Sequence, residues 1–234
     1  MRRALYAVWY YGMTVLLALA YLPLLALPRR ILGEGIRFWA KTLIWGMRVI
    51  GGVRLEVRGL DRLPEGPALL AAKHQSMFDI VPAFAYMPDA LFVMKKELIA
   101  IPVFGWLNLK HGSIVVDRSA GVDAMRKMLA AARERFREPR QLLIFPEGTR
   151  KAVGAPPDYK PGIAGLYRHL NAPCIPVATN TGVHIDTSGL PTSRGVVVYE
   201  VLEAIPSGIK RPEFMRLLQE RIETACDALP KTAA

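Results

Sequence analysis

His74 and Asp79 stand five residues apart in the run K-H-Q-S-M-F-D, and Glu147-Gly148-Thr149-Arg150 closes the run F-P-E-G-T-R. The first pair offers a base and a carboxylate able to orient it. A carboxylate bound to one imidazole nitrogen fixes the tautomer and leaves the other nitrogen to take a proton. The second run offers a tight turn and a guanidinium that can grip a phosphate through two parallel hydrogen bonds. Each has a plain structural reading as well. Asp79 can be a helix cap beside a polar loop histidine, and Arg150 a solvated residue on a surface turn. Together they describe a site that deprotonates a hydroxyl on a phosphate-bearing molecule.

That chemistry constrains the elements around it. On one regular helix, residues five apart diverge by roughly 140°, so His74 and Asp79 cannot meet there. They meet if His74 sits in a loop and Asp79 opens the following helix. Ala68–Lys73 reads as a short buried strand, and Ile80–Tyr86 as an apolar helix with Pro82 in its first turn. Gln141–Pro146 reads as a buried strand that empties into the turn Glu147–Arg150. Ligands in open α/β sheets bind at such strand ends, and Gly148 permits the tight turn and close approach of a ligand.

With these boxes the chain resembles the lysophosphatidic acid acyltransferases, the 1-acyl-sn-glycerol-3-phosphate O-acyltransferases of the glycerolipid acyltransferase superfamily. That family carries an H-x4-D box, a block ending in an aspartate–arginine pair, an E-G-T-R box and a proline-containing apolar strand. Here they stand in that order as His74–Asp79, Gly112–Arg118, Phe145–Arg150 and Cys174–Val177. Lys95–Leu98 and Lys160–Gly162 also match, although Pro161 stands where a second lysine is usual. The resemblance implies transfer of a fatty acyl group from acyl-CoA or acyl carrier protein to the 2-hydroxyl of 1-acyl-glycerol-3-phosphate, giving phosphatidic acid. It implies His74 as general base and Asp79 as its orienting partner. Arg150, Glu147, Gly148 and Thr149 would shape the phosphate pocket, with Lys96 and Arg118 as further phosphate-binding candidates. The acceptor is itself the nucleophile, so no metal and no cofactor beyond the thioester co-substrate is expected. The same boxes suit other acceptors, such as a lyso-ornithine lipid or lysophosphatidylglycerol. A lipid thioesterase or hydrolase using Ser76 is disfavoured, because Ser76 lacks the G-x-S-x-G context.

A chain of 234 residues suits one α/β domain with a short appendage. Its formal charge of +11 and pI of about 9.9 suit nucleic acid or an anionic membrane. No zinc-finger spacing and no RNA-recognition aromatic motif is present, and the mean hydropathy is high at +0.21. Membrane phospholipids, not nucleic acid, are therefore the expected partner, with the lysophospholipid and the acyl donor as substrates. Cys174 and Cys226 are the only cysteines, which fits a reducing compartment.

The N-terminus carries the membrane argument. Leu5–Leu27 is 23 residues without a charge, enough to reach about 34 Å as a helix. Arginines flank it on both sides, which gives no orientation, and Pro23 suits a helix that enters one leaflet and returns. A cleavable leader ending at Ala18-Leu19-Ala20 is set aside, because acyl thioester donors are cytosolic. Glu34–Ile50 reads as an amphipathic helix in the headgroup layer, with Arg37, Lys41 and Arg48 within about 40° of one another beside Trp39 and Trp45. Residues 1–50 are therefore expected to anchor the protein, and residues 51–234 to form the catalytic domain. The expected location is the cytoplasmic face of the bacterial inner membrane.

The remainder alternates. Strands are predicted at Val53–Gly59, Leu91–Met94, Ser113–Val116, Cys174–Asn180 and Val196–Leu202, besides the two named above. Helices are predicted at Val122–Arg137, Ile163–Leu170 and Glu213–Leu229. The expected fold class is α/β: a central mostly parallel or mixed sheet flanked by helices, with an N-terminal membrane-associated two-helix segment.

Overall fold

Seven short apolar or alternating runs become the strands of one sheet in the computed structural model, which describes residues 1–231 except for the side chain of Arg118. They are β1 (Val53–Arg58), β2 (Ala68–Ala72), β3 (Ala90–Lys95), β4 (Ile114–Val116), β5 (Gln141–Ile144), β6 (Cys174–Thr179) and β7 (Gly195–Val201). Their order across the sheet is β1-β7-β6-β2-β5-β3-β4. The stretch from β6 to β4 is parallel, β7 runs antiparallel to β6, and β1 is parallel to β7. The sheet is thus mixed and mostly parallel. β2, β5 and β6 are buried along their whole length. Helices cover both faces, so these strands need near-continuous apolar sequence rather than alternation.

The helices are α1 (Arg2–Ala20), α2 (Arg29–Gly46), α3 (Val81–Tyr86), α4 (Phe104–His111), α5 (Gly121–Arg135), α6 (Gly162–Leu170), the single turn α7 (Thr181–His184) and α8 (Arg211–Ala228). Successive strand residues point to opposite faces, which divides the core in two. Leu70 and Val177 pack with Tyr6 of α1, Leu43 of α2 and Phe84 of α3. Leu69 and Leu142 pack with Met128 of α5, Leu166 of α6 and Phe214 of α8.

Two expectations at the N-terminus are corrected. Leu5–Leu27 is not one helix. α1 begins at Arg2, ends at Ala20, and gives way to a 3-10 turn at Leu22–Ala26 that has Pro23 in its first positions. α2 then returns antiparallel along α1. Tyr21 donates its hydroxyl to the Gly35 carbonyl at 2.8 Å, and the Trp39 indole donates to Thr14 Oγ1 at 3.1 Å. The basic stripe also divides. Arg37 turns toward the domain, donating to the Pro88 carbonyl at 2.6 Å and pairing with Glu34, while Lys41 and Arg48 stay exposed. α2 buries Leu32, Ala40 and Leu43, so a long side chain at the margin of that face lies along the protein. An i→i+5 turn at Met47–Gly51 then changes the phase of Arg48. Within α1 only Tyr6 and Tyr10 are buried, and the helix is long and apolar enough, by length and composition, to cross a membrane. Residues 1–50 nevertheless share a core with the sheet.

α4 is an element the sequence reading missed. Pro102 and Gly105 around its start argue for a loop. The structure resolves the conflict with a γ-turn at Val103 (φ 64°, ψ −52°), closed by a bond of 2.7 Å from Phe104 N–H to the Pro102 carbonyl. Gly105 is required by close approach, since a Cβ there would lie 2.2 Å from the Ile99 carbonyl oxygen.

That contact reverses a usual sign. Alanine for glycine inside a helix normally gains about 1 kcal/mol. Gly105→Ala is expected to lose about 1–3 kcal/mol by overpacking, lowering Tm by roughly 2–10 °C. Gly12→Ala, on α1 with nothing within 4 Å of its Cβ, should not lower it. Differential scanning calorimetry of both variants checks this, and equal shifts would remove the close-approach account.

Candidate active site

β2 and β5 are parallel neighbours, so both empty at the same edge of the sheet. The chain leaving β2 carries Lys73 and His74, and the chain leaving β5 carries Phe145 to Arg150. After His74 the chain turns into a 3-10 helix at Met77–Ile80, capped by Ser76 and Asp79 in a reciprocal capping box. Asp79 is fully buried. Its Oδ2 accepts from Gln75 N–H at 2.6 Å and Ser76 N–H at 2.7 Å, and lies 3.1 Å from His74 Nδ1. Asp79 is therefore both the cap and the imidazole's partner. An ionised carboxylate only accepts, so this contact calls for N–H at Nδ1 and leaves the Nε2 lone pair as the base. The His74 ring stacks on Phe145, with centroids 3.9 Å apart and planes 16° apart. The second motif also holds the histidine's backbone. Glu147 Oε2 accepts from His74 N–H at 3.1 Å, and Lys151 N–H donates to the His74 carbonyl at 2.8 Å.

Glu147 departs from its expected place in a phosphate pocket. It is fully buried and faces inward. Its other oxygen lies 2.8 Å from Lys73 Nζ, an ion pair by distance without an aligned hydrogen bond. Lys73 also reaches Glu223 of α8 at 2.8 Å, and the Tyr159 hydroxyl donates to the same Glu223 oxygen at 2.8 Å. Burial acts to lower the Lys73 pKa, but the contacts with Glu147 and Glu223 outweigh it and hold the ammonium above its usual value. Burial, with Glu223 beside it, pushes the Tyr159 hydroxyl far up. A buried carboxylate already committed to a cation and a peptide N–H has no reason to face a phosphate. Lys73 has a trace in the sequence, a charge closing an apolar run next to His74. Glu223 has none, since only the fold brings α8 here.

The remaining candidates are spread along the edge. Gly148 adopts φ 67° in the turn after β5, a conformation open to glycine. Thr149 and Arg150 are exposed. Arg150 donates to the Thr187 carbonyl, which also accepts from Met77 N–H, so the guanidinium stands beside the loop that follows His74. Lys96 follows β3, is exposed, and pairs with Asp117 after β4 at 3.0 Å. Hydrogen bonds from Ser119 and Lys96 pull the Asp117 carboxyl down to about 2, and Asp117 in turn raises the Lys96 pKa. Strands lie about 4.8 Å apart, which puts Lys96 roughly 10 Å along the edge from the end of β2. The structure thus brings His74 to Asp79 and Glu147, and leaves Arg150 and Lys96 each bonded elsewhere. The side chain of Arg118 lies outside the described residues. Ser76 is fully buried, accepting from Phe78 N–H and donating to the Asp186 carbonyl, so it is a cap and not an exposed nucleophile. Among the described residues no group of three or more His, Cys, Asp or Glu is placed to hold a metal ion.

The chain is similar to known proteins in sequence and in fold. A family model described as acyltransferase matches residues 54–180. A 1-acyl-sn-glycerol-3-phosphate acyltransferase of Pseudomonas aeruginosa is 30% identical over 188 residues, covering 80% of this chain and 73% of that protein. A lyso-ornithine lipid O-acyltransferase of the same organism is 28% identical over 206 residues, covering 79% of this chain and 77% of that protein. In three dimensions, the crystal structure of the 1-acyl-sn-glycerophosphate (LPA) acyltransferase, PlsC, from Thermotoga maritima superposes with a TM-score of 0.80 at 19% identity. It covers 99% of this chain and 98% of its own, which shows a common fold.

The buried ion pair makes a prediction about stability. Lys73→Met leaves the Glu147 carboxylate buried without its cation, and breaking a buried pair costs about 3–5 kcal/mol. Adding Glu147→Gln removes the stranded charge, so the double variant should lose less than Lys73→Met alone. Urea denaturation of the single and double variants measures both. A loss below about 1 kcal/mol in Lys73→Met would show that the pair holds little together.

Proposed function

Because the chain belongs to the acyltransferase family, among the 1-acyl-sn-glycerol-3-phosphate acyltransferases, and is an O-acyltransferase, we propose that it acylates the 2-hydroxyl of 1-acyl-glycerol-3-phosphate, giving phosphatidic acid. The donor is a fatty acyl thioester of coenzyme A or acyl carrier protein. The observation that supports this best is the 3.1 Å contact between His74 Nδ1 and the buried Asp79. His74 Nε2 takes the hydroxyl proton as the acceptor oxygen attacks the thioester carbonyl. The tetrahedral intermediate expels the thiolate, which recovers that proton from the imidazolium. Asp79 stabilises the imidazolium meanwhile. General-base help of this kind contributes about 10²–10⁴-fold. Arg150, exposed beside the His74 loop, binds the acceptor phosphate, with Lys96 farther along the edge.

A second reading keeps the chemistry and changes the acceptor. The similarity to a lyso-ornithine lipid O-acyltransferase supports it. A panel of lyso-lipids with labelled acyl-CoA and acyl carrier protein, scored for diacyl product, separates the two readings.

In this proposal the hairpin of α1 and α2 attaches the protein to the membrane and residues 51–234 carry the chemistry. The exposed apolar side of α1 supplies burial in lipid, and Lys41 and Arg48 supply attraction to anionic headgroups. The thioester donors are cytosolic, which assigns the protein to the cytoplasmic face of the inner membrane.

His74→Ala is expected to abolish transfer with the fold retained, and near-normal turnover would remove the general-base proposal. Asp79→Asn should also be nearly inactive, because an amide whose oxygen keeps the cap contacts carries no charge to stabilise the imidazolium. For Arg150→Ala the loss should fall on KM for a phosphate-bearing acceptor. One charge-assisted contact is worth about 1.5–3 kcal/mol, or roughly 10- to 150-fold. An uncharged lyso acceptor should change much less, and equal losses on both would assign Arg150 to the donor or to the fold.

A further inference from the structure

The protein surface is strongly one-sided. α5, α6 and α8 cover one face of the sheet, and among their described residues a single large apolar side chain is exposed, Val122. The other face carries the hairpin, α3 and α4, and there apolar side chains are exposed along several elements. Val15 of α1 and Phe38 and Trp45 of α2 are examples. The hairpin does not account for all of them. Ile101 is 46% exposed, and on α4 Trp106 and Leu109 are 52% and 44% exposed. Trp106 and Leu109 are three residues apart and so share a face of α4.

α4 packs against α2 and against the Leu22–Ala26 turn at the tip of the hairpin. It is not a loose appendage, since the γ-turn at Val103 and the close approach of Gly105 to Ile99 fix its start. The chain before it is the 3-10 turn Lys96–Ala100, which opens on the exposed Lys96 at the candidate site. Large apolar side chains exposed together on one face mark a partner. The chemistry here favours lipid. Tryptophan settles at the membrane–water interface, Lys110 stands in the last turn of α4, and the chain as a whole carries a charge of +11.

We propose that α4 is a second lipid-contacting element. Ile101, Trp106 and Leu109 enter the same anionic bilayer surface as the hairpin, so the protein rests on the membrane at two places. The Lys96 end of the site is thereby held against the surface from which a lyso-lipid acceptor arrives. This rests on the reading that the hairpin enters lipid, and the test separates the two.

The experiment uses the full chain in a Cys226→Ser background, with Cys174 left buried. Trp106→Cys, Val15→Cys and Val122→Cys are each labelled with an environment-sensitive fluorophore. Each is mixed with phosphatidylglycerol–phosphatidylcholine vesicles containing a shallow nitroxide-bearing lipid. The labels at 106 and 15 should shift to the blue and lose most of their emission, while the label at 122 keeps its emission. Leu109→Cys, on the same face, should repeat the result at 106 and guards against misfolding of the tryptophan variant. Quenching at 15 with none at 106 or 109 overturns the proposal and leaves the hairpin reading standing. No quenching at 15 overturns both readings. Equal quenching at 122 overturns the one-sided arrangement. A blue shift at 106 that follows protein concentration without lipid makes the occupant a second copy of the chain, and also overturns it.

Discussion

A buried carboxylate must be paired, and the arrangement of the site follows from how Glu147 meets that demand. One of its oxygens faces Lys73 at 2.8 Å and the other accepts from the peptide of His74 at 3.1 Å. Lys73 and His74 are consecutive on the chain leaving β2, and Glu147 leaves the neighbouring strand β5. One side chain therefore ties two strand ends together at the residue proposed as the base. Glu223 and Tyr159 extend the tie to α8 and to the segment before α6. The histidine loop is thus anchored to elements far from it in sequence.

Asp79 shows a second economy of groups. A carboxylate that only capped its helix would be satisfied by the backbone, and one that only oriented an imidazole would need other support. Here a single oxygen gathers two N–H groups and the imidazole. The fixed geometry of the capping box sets where His74 stands. Asp79 Oδ1 and the Tyr199 hydroxyl are both buried without a partner among the described residues. Burial, with the Asp79 charge adding to it, holds the Tyr199 phenol protonated.

The hairpin and the candidate site are coupled in the same way. The hairpin is part of the core, since Tyr6, Leu43 and Met47 pack with the sheet. Arg3, in the first turn of α1, pairs with Asp186 in the loop that also accepts from Ser76 and Arg150. The start of α1 is thereby fixed at the edge of the sheet where the His74 loop lies. In the proposed function, this packing sets the position of the anchoring hairpin relative to the site.

The sequence by itself determined the seven strands, the α/β class and the pairing of His74 with Asp79. Those rest on local signals: apolar runs, proline and glycine at boundaries, and a spacing that only a loop followed by a helix can satisfy. It also placed Arg150 on a strand-end turn. It did not determine that Glu147 faces inward, because whether a polar residue in a turn points to solvent or to a buried lysine depends on what packs beneath it. Glu223 is 150 residues from Lys73, and no local pattern reports such a contact. α4 was hidden because Pro102 and Gly105 argue against a helix, and only its packing on Ile99 and α2 overrides them. The hairpin shows the same limit: Pro23 marked the break, but the direction of the returning helix was decided by its packing on α1 and α3, in the core that buries Ala40 and Leu43.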